Sequence, residues 1–136
     1  MFGPSPLEPF TDPVLGQLQP GENGWTVKIT HGHESFQITV GGDKQPDAKL
    51  LAHAHDILNN YQSFKNEVRA FVDSESSKCA DDVKAELARL DIDNICLFWP
   101  DRPDDGMIFF RGSKDEIRLW RCDYVDRKLT SLGCDT

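Results

Sequence analysis

The four histidines fall into two His-x-His pairs, His31/His33 and His53/His55, and imidazoles are where metal or acid-base chemistry is first sought. In an extended segment residues two apart share a face, so His31 and His33 can approach one ion together. On a helix the same spacing turns the rings about 200° apart, which defeats shared ligation by His53 and His55. No cysteine or carboxylate at a standard spacing completes either pair, so the expectation is a chain without metal or other cofactor.

Carboxylates are the next candidates. Asp91, Asp93, Asp101, Asp104 and Asp105 bracket one apolar stretch and the turn after it. Asp104-Asp105-Gly106 lacks the alternating oxygen ligands and closing glutamate of a calcium loop, and reads as solvated turn residues. A glycosidase needs two carboxylates at a fixed separation across its substrate, which linear order does not set. The chain has no Gly-x-Ser-x-Gly elbow and no phosphate-cradling Gly-rich loop, so nothing points to nucleophilic or phosphoryl chemistry. Cys96 sits among apolar neighbours and belongs to the core. Cys122 and Cys134 flank the last hairpin and could approach one another, although the absence of CxxC spacing favours reduced thiols.

The elements that must position these groups follow from periodicity. Trp25, Val27 and Ile29 alternate with polar residues, as do Phe36, Ile38 and Val40, so His31-Gly32-His33-Glu34 reads as a hairpin loop between two half-buried strands. A further strand is expected over residues 14–18. After Pro46, with Asp47 as N-cap, Leu50, Ala54, Ile57, Tyr61, Phe64, Val68 and Phe71 recur at helical spacing. One helix over residues 47–73 would be about 38 Å long. A shorter helix is expected over 77–90, with Asp81 and Asp82 favouring its N-terminal dipole. Residues 94–99 are apolar on both faces, the pattern of an interior strand. Strands over 107–111 and 116–124 follow, separated by turns at 100–106 and 112–115, and a closing hairpin passes through Asp126 and Arg127 to a strand at 128–132. Aromatic residues Trp99, Phe109, Phe110, Trp120 and Tyr124 gather here. Phe109 and Phe110 must face opposite ways, so one aromatic surface is either covered by a helix or left for a partner.

The expected fold is α+β, a twisted and largely antiparallel sheet with one long helix packed across it and a second, shorter helix. At 136 residues it forms one domain, 1–136, with a short Pro-rich N-terminal arm. A net charge of −8 opposes association with nucleic-acid phosphates or anionic membranes and favours a basic protein partner. MFGPSPLEPF carries no positive n-region and no long apolar run, which points to the cytoplasm.

The segment Asp12-Pro13-Val14-Leu15-Gly16-Gln17-Leu18, the following Trp25, the central helical stretch and the strand-rich end together resemble small bacterial α+β domains, including immunity proteins encoded beside polymorphic toxins. That resemblance implies a cognate toxin as partner and carries no catalytic residues. The leading expectation is therefore a non-enzymatic protein-binding module that occludes a toxin's active site or substrate groove. Its expected contacts are Trp99, Asp101, Asp104 and Asp105, and secondarily Asp81, Asp82 and Glu86. The alternatives are a small metal-dependent hydrolase using His31 and His33, or a regulatory or structural adaptor docking a partner on the sheet edge.

Overall fold

The computed structural model describes residues 7–112 and 118–135. The expected turn residues 113–115, the start of the strand expected from Glu116, and the first six residues of the N-terminal arm lie outside these. The chain order is β1 (Phe10–Asp12), β2 (Gly16–Gly21), β3 (Gly24–His31), β4 (Glu34–Val40), α1 (Ala48–Asn59), α2 (Tyr61–Ser76), α3 (Asp81–Leu87), β5 (Asp91–Leu97), β6 (Gly106–Arg111), β7 (Leu119–Val125) and β8 (Lys128–Asp135). The eight strands among the described residues join one sheet in sequence order. Two antiparallel meanders, β1–β4 and β5–β8, meet at the parallel pair β4–β5, whose crossover contains all three helices. The largely antiparallel sheet is thus as expected.

Register fixes what lies on each face. Val27 opposes Ile38, Ile38 opposes Ile95, Ile95 opposes Ile108 and Ile108 opposes Cys122, a row running across five strands beneath the helices. The helices meet this row through aromatic contacts: Tyr61 stacks on Phe36 with centroids 4.6 Å apart, and Phe64 meets Tyr124 edge-on at 6.0 Å. Burying a side chain of this size is worth about 1.5–3 kcal/mol, so these contacts hold the helices to the sheet. The opposite face carries a polar row, in which the Thr39 hydroxyl donates to Asn94 Oδ1 and accepts from Thr26 at 3.1 Å each.

The expected single long helix is two. Asp47 caps α1 as expected, its carboxylate accepting from the amides of Lys49 and Leu50. At Asn60 the backbone leaves the helical region (φ −127°, ψ 35°), and its amide turns back to Ile57 O at 3.2 Å. Asparagine tolerates such geometry because its side chain can bond locally, here to Asp56 O. Ile57, Tyr61 and Phe64 are buried on both sides of the break, so the apolar stripe stays in phase and hides it. Of the residues expected under the helix, Ile57, Phe64 and Val68 are buried, whereas Phe71 is only partly so. The strand expected at 14–18 is instead a turn followed by β2. The interior strand starts earlier than expected, at Asp91, and stops at Leu97.

Candidate functional site

At the end where β5 leaves the sheet, Pro100 and Pro103 restrict the chain and remove two amide donors. The remaining amides close a compact turn, Arg102 N–H to Trp99 O at 2.9 Å and Asp105 N–H to Arg102 O at 3.1 Å. The Arg102 guanidinium lies 4.5 Å over the Trp99 ring, a cation–π contact that holds the half-buried indole.

The β7–β8 hairpin turn sits beside it. Its central residues, Asp126 and Arg127, both have left-handed backbones (φ 56° and 61°), the geometry of a tight hairpin turn usually taken by Asn-Gly or Asp-Gly. A non-glycine residue there costs on the order of 1 kcal/mol or more, and persists only where surrounding contacts enforce it. Those contacts come from the proline turn. Arg127 N–H donates to Asp104 O at 2.9 Å, Arg127 Nε to Asp104 Oδ1 at 2.7 Å, and Asp126 N–H to Asp105 Oδ1 at 2.9 Å. Arg127 also reaches Asp56 of α1 at 3.1 Å.

Beneath the proline turn lies His53, buried and stacked on Tyr124 at 5.6 Å. Its Nδ1 is 2.7 Å from Pro103 O, and since a carbonyl only accepts, Nδ1 carries the proton. Nε2 is buried and has no hydrogen-bond partner among the described residues, which fits a neutral ring. Burial lowers the His53 pKa and the nearby Arg127 charge adds to this, outweighing the bond to Pro103 O and the Asp104 and Asp56 charges. No local pattern marks this role, because the residue His53 braces lies fifty positions away in the chain.

The expected contact residues therefore divide. Trp99, Asp101, Asp104 and Asp105 share one end of the molecule, but only Asp101 stands exposed as a turn carboxylate. Asp104 and Asp105 hold the neighbouring hairpin, which corrects their reading as merely solvated. Asp81 and Asp82 are exposed in the first turn of the seven-residue α3. Glu86 is corrected outright: it is buried, accepting from Trp120 Nε1–H at 2.8 Å through one oxygen and pairing with Arg118 through the other. A buried indole needs an acceptor, and α3 supplies it.

The histidine pairs separate as well. His31 packs its ring 4.9 Å from Tyr61 and His33 occupies the β3–β4 turn, where Gly32 takes φ 63°. Among the described residues no group of three or more His, Cys, Asp or Glu side chains is arranged to hold a metal ion. His55 instead bonds the buried Asp12 at 2.8 Å, tying the N-terminal hairpin to α1. Burial alone would raise the Asp12 pKa, but the amides of Leu15 and Val14 and the His55 ring together bring it below the usual carboxylate value. Asp12-Pro13-Val14-Leu15 is a recognisable Asx-turn sequence, a signal that was present in the chain. Burial pushes the thiols of Cys96 and Cys122 up to about 12, far from the thiolate form at neutral pH. Cys122 opposes Leu132, and Cys134 opposes Trp120, so the two thiols lie on a cross-strand diagonal rather than face to face, and all four cysteines are free.

At the other end of β4 and β5 is a cleft of about 760 Å³, bounded by α2, the segment before β5 and the end of β6. Among the described residues no helix is long and apolar enough to cross a membrane. The sequence matches no family model, and no curated protein and no solved structure matches it.

Proposed function

We propose that this chain is a protein-binding module of the cytoplasm that docks the acidic end of its sheet onto a basic protein surface, acting as an immunity protein that occludes a toxin's active site or substrate groove. The observation that supports this reading is the interlocked pair of turns. Arg127 pairs with Asp104 and Asp56 and Arg102 with Asp105, while Asp101 and Asp126 add two exposed carboxylates in the same two turns. The hairpin backbone is held in a left-handed conformation by bonds from the neighbouring turn. A rigid surface loses little conformational freedom on association, and an acidic one accelerates encounter with a basic partner.

The test is charge reversal at the positions that do not hold the fold. Asp101→Lys with Asp126→Lys should retain the parent melting temperature within a few degrees. The pair should also weaken protection of cells expressing a toxin encoded beside this gene, and steepen the loss at higher salt. Protection equal to the parent's across the salt range would overturn the assignment of this end as the interface. The absence of any toxin that the parent chain neutralises would overturn the immunity reading itself.

A further inference from the structure

The buried histidine beneath the proline turn is covered unequally. α1 carries it and Tyr124 of β7 stacks on it at 5.6 Å, both parts of the core, whereas the proline turn against its Nδ1 has no regular secondary structure. Opening that turn is therefore the route by which water reaches the ring with least loss of packing. Pro103, whose carbonyl accepts the Nδ1–H bond, directly precedes Asp104 and Asp105, which brace the hairpin by accepting from Arg127 and from the Asp126 amide. The two braced residues hold left-handed backbones that relax once the braces go. One imidazole thus stands at the base of a chain of contacts running from α1 through the proline turn to the hairpin.

We infer that His53 is a proton-operated latch: when its ring takes up a proton at Nε2, the proline turn lifts from α1 and releases the hairpin. Nε2 is buried with no acceptor among the described residues, so an N–H and a positive charge there have no bond to compensate them. The charged groups facing the ring are Arg127 of the hairpin, Asp104 of the proline turn and Asp56 of α1, and Arg127 is bonded to both carboxylates, so their field is already offset. Burial, helped by Glu67 of α2 and Asp104 and opposed by Arg127, raises the Tyr124 phenol to about 12, so an uncharged ring lies against the imidazole. In the open turn the ring meets water and regains its ordinary 6.5, above its value in the closed turn. Falling pH therefore favours the open form, by up to about tenfold per pH unit. The consequence for a partner, weaker binding in acid, rests on the docking end proposed above; the latch itself is a property of the free chain.

An NMR titration of the full chain without partner, from about pH 7.5 to about pH 5, tests the latch. The His53 ring reports the proton, the Trp99 indole N–H the proline turn, the Asp126 and Arg127 amides the hairpin, and the Val27 and Ile29 amides of β3 the distant core. Ring, turn and hairpin signals should follow one curve with a midpoint below 6.5, while those of β3 stay still. In His53→Asn, whose amide can donate to Pro103 O as Nδ1 does but takes up no proton, the turn and hairpin signals should not move in that window, although every carboxylate remains. A ring that stays neutral to the end of the titration, a ring that titrates under unmoved turns, turn signals that move equally in His53→Asn, or β3 signals that move with the rest would each overturn the latch. Should His53→Asn melt early, His53→Gln carries the same comparison. If the latch titrates as expected but binding of a cognate toxin does not weaken with it, the docking end is misplaced and the latch stands.

Discussion

At the end where β5 runs out toward Trp99, arginine side chains meet carboxylates; at the end where β4 and β5 begin, Arg69 and Arg111 divide their donors between backbone carbonyls and exposed carboxylates. Arg127 joins Asp104 to Asp56 and so spends its charge on holding two segments together. Arg69 holds the segment after α3 through Leu87 O and Leu90 O, and also pairs with the exposed Asp73 of its own helix. The same residue type thus ties distant segments together at both ends, through side-chain carboxylates at one and through backbone carbonyls as well at the other.

The two ends share one core, so the strongest way to break the comparison is to remove what supports both. Phe64 packs between Tyr61 and Tyr124, and Phe64→Ala should cost about 3–5 kcal/mol, loosening the support of both ends together. Chemical denaturation would read it, and a parent-like midpoint would contradict the packing. Next, Glu86→Ala should destabilise by about 2–3 kcal/mol, because it orphans the buried Trp120 N–H and removes a charged acceptor. If Glu86 were a contact residue instead, binding would fall at unchanged stability.

Within the acidic end, Asp105→Ala should cost about 1–2 kcal/mol by freeing Asp126 N–H in its left-handed turn, whereas Asp101→Ala should stay within about 0.5 kcal/mol. Equal melting of these two variants would mean that the turns do not brace each other. The mildest probe is pH. Burial depresses the His53 pKa below its ordinary 6.5, so the unfolded chain binds a proton that the folded chain does not. Stability from this group should be full above about pH 6.5 and decline as pH falls from there toward the folded-state pKa. Comparing Tm across that window in the parent and in His53→Gln should show the smaller slope in the variant, and parallel slopes would remove His53 from the account.

Much of the scaffold is legible in the chain because its signals are local. Alternation gives β3 and β4, Gly32 with His33 closes the hairpin between them, and Asp47 after Pro46 caps α1. The acidic turn could also be found, since its prolines and aspartates are contiguous. Its internal bonds could not, because Asp104 and Asp105 meet residues of a different hairpin. The cleft beyond the start of β4 and β5 escaped for the same reason: Glu34, Lys65, Arg69, Asp91 and Arg111 are scattered along the sequence, and no spacing rule gathers them.

By itself the sequence determined the alternating strands, the apolar helical stripe, the polar turns and the net charge of −8, all set by short-range periodicity and composition. Tertiary structure alone decided that the stripe breaks at Asn60, that β4 and β5 run parallel, that Glu86 turns inward to Trp120, and that Asp104 and Asp105 brace the last hairpin. Each depends on segments distant in the chain coming into contact. There the need to give a buried indole an acceptor, or to keep an apolar row continuous across five strands, outweighs what any one segment prefers alone.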